Sequence, residues 1–165
     1  MTNETGSAAF EARLRQVEDQ LAIYQLIAAY GPAIDACEYQ QSFDLWTEDG
    51  VYEVGGLGIY EGRTGLTTMI DGPFHQGVVG GGSAHVGSLP FVIVEGDAAV
   101  ATNYARLYAH QDGAFTPVRI VASRWHFRRT DKGWLIERRI NRLLNGGADA
   151  RALLAAANKG PGATV

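Results

Sequence analysis

The sequence runs to 165 residues, 46% hydrophobic and 19% charged, with a formal net charge of −4. That length suits one domain with a real core, and the composition excludes a disordered chain. The acidic balance gives no reason to expect nucleic acid or an anionic membrane as partner, and no apolar run is long enough to span a bilayer.

Residues 1–8 are polar and small. They read as a disordered tail and lack the basic-then-apolar order of a signal peptide. A single cysteine, Cys37, allows no internal disulfide, so a cytoplasmic setting is expected. From 10 to 36, Leu14, Val17, Leu21, Ile23, Tyr24, Ile27 and Ala28 recur at helical spacing. Pro32 lies inside that pattern and is expected to kink or restart the helix. Residues 39–45 predict a short second helix, and Asp49-Gly50 a turn. Residues 51–54 and 58–60 read as a small hairpin across Gly55-Gly56, and 63–70 as a third helix. The stretch 71–84, with Gly80-Gly81-Gly82, reads as a mobile loop of the kind that covers a site.

The remainder is mostly strand. Segments 85–94, 98–110, 118–129 and 134–144 end at Glu95-Gly96-Asp97, Asp112-Gly113, Asp131-Lys132-Gly133 and Gly146-Gly147. Turn signals between long strands predict an antiparallel meander. A short helix at 149–158 and a tail at 159–165 close the chain. Helices first and strands later imply an α+β fold rather than a parallel α/β one. The domain is expected over 9–147, with 148–165 as a C-terminal helix and tail.

No phosphate-binding loop or dinucleotide fingerprint is present, since the glycine run lacks a following Lys-Ser/Thr. None of His75, His85, His110 and His126 forms a zinc motif, and no serine sits in a nucleophile elbow. No metal and no organic cofactor are expected, which leaves ordinary acids and bases. Asp35, flanked by Ile34 and Ala36 near the end of the first helix, is a carboxylate that burial would oblige to find partners. His85 opens the first long strand, and a histidine held by a carboxylate has a fixed tautomer and the basicity of a general base. Asp35 could equally cap the next turn, and His85 could simply bond to the loop. His75 and His126 read as loop and outer-face residues, and Cys37 as a small buried filler.

The segment Gln20-Leu-Ala-Ile-Tyr-Gln-Leu-Ile-Ala-Ala-Tyr30 with Ile34-Asp35, and Phe43-Asp-Leu-Trp46 through Asp49-Gly-Val-Tyr52, resemble the opening of the SnoaL-like branch of the nuclear-transport-factor-like superfamily. That superfamily includes ketosteroid isomerases, scytalone dehydratases and dehydrochlorinases. Gly56-Leu-Gly-Ile-Tyr-Glu-Gly62 resembles the dehydrochlorinases in particular. Phe127-Arg-Arg-Thr-Asp-Lys-Gly-Trp134 and Glu137-Arg-Arg139 are typical of the superfamily's end. The likeness covers residues 14–145. It implies a cone-shaped, curved antiparallel sheet with helices on its concave face around a pocket.

By position, the resemblance makes Asp35 the aspartate that holds a proton-abstracting His85. Tyr30 takes the place of a polar residue that is a tyrosine in the dehydratases and a lysine in the dehydrochlorinases. Tyr52 becomes a pocket wall. Arg139 becomes an arginine reaching the cavity, although strand parity alone leaves Arg138 and Arg139 both open. His110 matches a second cavity histidine, and Asn103 stands where some relatives carry an acid. Those two lie on opposite faces of one strand, so both line the cavity only if a bulge intervenes.

The resemblance implies a cofactor-free lyase with a His-Asp dyad, releasing water or formaldehyde from a hydroxylated, ring-bearing apolar substrate. An isomerase or polyketide cyclase is the alternative, and a non-catalytic ligand-binding domain is another. A homo-oligomer, trimer or dimer, is expected.

Overall fold

The computed structural model describes residues 2–163. Its elements are α1 (Thr2–Asp35), α2 (Tyr39–Phe43), β1 (Trp46–Val54), β2 (Gly58–Glu61), α3 (Gly62–Asp71) and α4 (Pro73–Gly80), then β3 (Ser83–Gly87), β4 (Phe91–Glu95), β5 (Ala98–Gln111), β6 (Ala114–Thr130), β7 (Gly133–Leu143) and α5 (Ala148–Ala155). One seven-stranded sheet runs β2-β1-β7-β6-β5-β3, with β4 also on β5. Neighbours are antiparallel except β1 and β7, which pair in parallel. The sheet is curved and unclosed, and the fold is α+β as the sequence predicts.

Residues 2–8 are helical and extend α1, where a disordered tail was expected; Met1 lies outside the described residues. The first part of the predicted apolar stripe, Leu14, Val17 and Leu21, is solvent-exposed, and burial begins with Asp19 and Ile23. Pro32 neither breaks nor restarts the helix. It sits one turn from the end, so its missing N–H removes a single rung. The helix stops in a Schellman arrangement, with Glu38 N–H bonded to Ala33 O and Cys37 N–H to Ile34 O. Cys37 supplies the left-handed residue at φ 57° and is exposed rather than a buried filler. This closure sets Asp35 in the last helical position.

Three other segments differ from their sequence reading. The glycine-rich stretch holds a helix, α4. Pro73 begins it with a pre-set φ, and buried Val78 and Val79 supply the apolar anchor that outweighs the glycines. The strand expected at 85–94 is split into β3 and β4, both paired to β5. At the break Ser88 Oγ accepts the Tyr104 N–H, and Pro90 has no N–H to give. Asp49-Gly50 lies within β1, at an irregularity in its pairing with β7 between Trp46 and Val51.

The main core lies between α1 and one face of the sheet and includes Ile23, Tyr30, Ile34, Trp46, Trp125, Phe127, Trp134 and Ile136. On the opposite face α5 packs Ala150 and Leu153 over Ala122 and Ile140. There the fully buried Arg124 donates to Thr102 Oγ1 and to the carbonyls of Ala156, Lys159 and Gly160, clasping the chain beyond α5.

Candidate active site

Asp35 faces β3 across a close contact. A Cβ on Gly31 would stand 2.3 Å from His85 O, so only glycine lets α1 approach the strand this closely. At that distance Asp35 Oδ2 accepts the His85 backbone N–H at 2.7 Å. Its Oδ1 accepts Ser83 Oγ–H at 2.5 Å and His85 Nδ1–H at 2.7 Å. A carboxylate only accepts, so the proton must sit on Nδ1 and Nε2 carries the lone pair. Burial opposes charge on Asp35, but the bonds from the His85 ring, Ser83 and the His85 backbone outweigh it. They hold the carboxyl below its ordinary value. Ser83 was not singled out in the sequence, yet its place two residues before His85 puts both on one strand face.

Beside the dyad a cavity of about 260 Å³ opens between α1, α3, α4 and the sheet, with His85, Tyr30, Tyr52, Asn103, Trp125 and Arg139 in its wall. Tyr30 is 5% exposed, and its ring meets those of Trp46, Tyr52 and Trp125 edge-on. Burial first, and then Tyr52, push its phenol well above the ordinary value against the pull of Arg139, so it stays a hydrogen-bond donor. Tyr52 OH accepts Asn141 Nδ2–H at 2.7 Å.

Arg139 is 5% exposed and lies among three aromatic faces, 3.9 Å from the Trp125 centroid, 4.6 Å from Tyr30 and 4.9 Å from Tyr52. Its Nε–H donates to Ser123 Oγ at 3.2 Å, and one terminal nitrogen has no partner. No carboxylate pairs with it among the described residues. Buried cations are normally paired. Among the described residues Arg124 on the opposite face also lacks a carboxylate and leaves its Nε unbonded, but its terminal nitrogens donate to four protein oxygens.

Arg138 points outward to Glu53, and Arg139 points inward. A bulge makes the difference. Phe127 pairs with Ile136 and His126 with Arg138, so Glu137 is an extra residue that reverses the parity of β7. Ile136 and Arg139 therefore share a face although three residues apart. Asn141, two beyond Arg139, joins it in the cavity wall, whereas Ile136 belongs to the core.

Asn103 is buried in the cavity wall, with its amide already engaged. It accepts Trp125 Nε1–H and donates to Ser88 O, each at 3.1 Å. His110 does not reach the cavity. The register shift between Leu107 and Tyr108 places its extra residue, Val118, in β6, while β5 keeps strict alternation against β3. His110 therefore lies on the face opposite Asn103 and buried Ala109, and its exposed ring packs on Phe115 at 4.9 Å. His75, read from the sequence as a loop residue, is instead carried by α4 into the cavity wall, with its ring 6.4 Å from that of His85. Arg119 is a further wall residue and donates to Gly55 O. Among the described residues no group of three His, Cys, Asp or Glu converges as a metal site.

Residues 15–140 match the model of the SnoaL-like domain. This chain belongs to the SnoaL-like family. An NTF2-like protein with a cystatin-like fold from Novosphingobium aromaticivorans is 43% identical, covering 88% of this chain and 94% of its own at a TM-score of 0.84. A protein of unknown function from Mycobacterium tuberculosis is 23% identical over 88% of this SnoaL-like chain and 93% of its own, TM-score 0.71. The hexachlorocyclohexane dehydrochlorinase LinA-type3 from Novosphingobium barchaimii shares the fold at 16% identity, over 80% of this chain and 90% of its own, TM-score 0.67. No curated protein sequence matches the chain. In this SnoaL-like domain no helix among the described residues is long and apolar enough to cross a membrane.

Proposed function

We propose that this SnoaL-like domain is a cofactor-independent lyase that eliminates water from a hydroxylated, ring-bearing apolar substrate. The pairing of His85 with Asp35 in the wall of an apolar cavity carries the reading, because it frees a basic Nε2 on a residue that lines the space. His85 Nε2 takes a proton from a carbon next to a carbonyl, and Asp35 balances the imidazolium charge. The electron pair moves onto the carbonyl oxygen, where the unpaired Arg139 meets the developing charge. The carbonyl then re-forms, a C=C bond forms at the deprotonated carbon, and the bond to the β-hydroxyl breaks. Tyr30 gives the departing oxygen its proton to make water, and the proton held by His85 returns Tyr30 to its starting state.

The test is product mass. Hydroxylated cyclic ketones incubated with the protein are expected to yield products lighter by one water. His85→Asn is expected to slow that turnover by about 10²–10⁴-fold. A product lighter by formaldehyde marks the retro-aldol variant on the same base. A product of unchanged mass makes the chain an isomerase or cyclase, and turnover undiminished in His85→Asn removes the base from the scheme.

A further inference from the structure

His75 belongs to the cavity but has no part in the proton transfer just described. Its Nδ1 lies 2.9 Å from Ile70 O, at the end of α3. A carbonyl only accepts, so the neutral ring must carry its proton on Nδ1 and its lone pair on Nε2. Gln76 Nε2–H donates to the same carbonyl at 2.8 Å, which closes off that side of the ring. Nε2 is buried and has no partner. The ring sits against Tyr39 on one side and His85 on the other, at 5.9 and 6.4 Å between centroids, and the two histidines are too far apart to bond directly.

Capping the end of α3 explains Nδ1 and leaves Nε2 unexplained. A buried acceptor without a donor is costly, and a ligand that supplies one removes the cost. We propose that His75 Nε2 is the acceptor that reads a neutral O–H group of the bound ring, making His75 a specificity-determining residue of the site. The donor is neutral because the wall already carries Arg139 and Arg119, which disfavour a cationic ligand. The hydroxyl in question is retained rather than expelled, because an acceptor cannot protonate a leaving group. Burial, and then the neighbouring His85, hold His75 below its ordinary value, so it stays an unprotonated acceptor. A proton on His85 during turnover reinforces this state.

The assignment rests on the lyase reading for its place in a reaction, but its test reads binding alone, so either can fail without the other. The probes are 2-naphthol and 2-methoxynaphthalene, which share a ring system and differ in the ability to donate. Wild-type protein is expected to bind the naphthol about tenfold more tightly, the worth of one hydrogen bond. His75→Phe, which keeps a ring in place, is expected to erase that preference. His85→Asn is expected to keep it. By ¹⁵N NMR of the wild type, His75 Nε2 is expected to shift on adding 2-naphthol and not on adding the ether. That measurement decides the matter even if His75→Phe folds poorly. No hydroxyl preference in the wild type, a preference that survives His75→Phe, or a shift confined to His85 Nε2 would each overturn the assignment.

Discussion

Asp19 and Asp35 lie on the same helix, roughly four and a half turns apart, and each is pinned to the sheet by a basic partner. Asp19 is 8% exposed, and both its oxygens are taken by Arg129, at 2.8 and 2.7 Å, with Trp134 Nε1–H added at 2.9 Å. Arg129 also lies over the Trp134 ring and reaches Asp97. All three guanidinium nitrogens of Arg129 donate to carboxylates, and Arg129, permanently charged, cannot serve as a base. Asp35 has a histidine instead. One ring nitrogen is spent on the carboxylate and the other remains free in a cavity wall. The partner, rather than the aspartate, makes one end of α1 a latch and the other end a candidate reaction centre.

The largest expected effect breaks that contrast directly. Asp35→Asn places an N–H where His85 Nδ1–H now points, which favours the opposite tautomer and removes the base. Turnover of whatever substrate the mass test identifies should fall by about 10²–10⁴-fold with little change in melting temperature, and ¹⁵N shifts of His85 should show the tautomer reverse. Asp19→Asn should do the reverse, costing about 2–3 kcal/mol in denaturant unfolding while sparing turnover. That cost lies below the full cost of breaking a buried pair because Arg129 is still partly wetted. If both variants lose activity alike, the distinction between the two ends fails.

Next in size is Gly31→Ala. Its Cβ would meet His85 O, a backbone atom with little room to move. The variant should lose about 1–3 kcal/mol of stability and also turnover, because moving β3 away from α1 lengthens both of the bonds His85 makes to Asp35.

The smallest effect is a shared one and appears in stability against pH. Asp19, chiefly through its bonds from Arg129, and Asp35, against its burial, are both held below the ordinary 3.8. Their contributions are present in full above that value and are lost as pH falls below it. His126 behaves differently, since burial lowers it from 6.5 to about 4. The unfolded chain takes up that proton first, so stability should already decline as pH falls from 6.5 toward 4. His75, also lowered by burial, adds to the same decline, so His126→Gln should make this upper segment shallower without abolishing it and leave the lower one. A curve that stays level down to pH 4 in the wild type would leave His126 out of the account.

Much of this was legible in the residues. Turn signals such as Glu95-Gly96-Asp97 and Asp112-Gly113 mark hairpin ends that the backbone makes with positive φ at Gly96, Asp112 and Gly113. Asp35 and His85 stood out through the family's motifs, and the structure brings them within bonding distance. What escaped the reading has physical causes. Glycine content hid α4, because two buried valines and an N-terminal proline outweigh local propensity only once a core exists to receive them. His75 was lost with that helix. Strand parity left Arg138 and Arg139 both open because an extra residue in β7 leaves no compositional trace. His110 shares a strand with Asn103 but lies on its opposite face, and the bulge that would have brought both inward is in β6 rather than β5, a placement the sequence does not mark.

The bulge at Glu137 reaches further than one arginine. On its N-terminal side the inward positions of β7, Trp134 and Ile136, belong to the packed interior. On its C-terminal side the inward positions, Arg139 and Asn141, belong to the cavity. A single inserted residue thus works as a phase shift between two programmes written on one strand. It lets the half that must be filled and the half that must stay hollow change their residues independently, while the ladder to β6 continues past both.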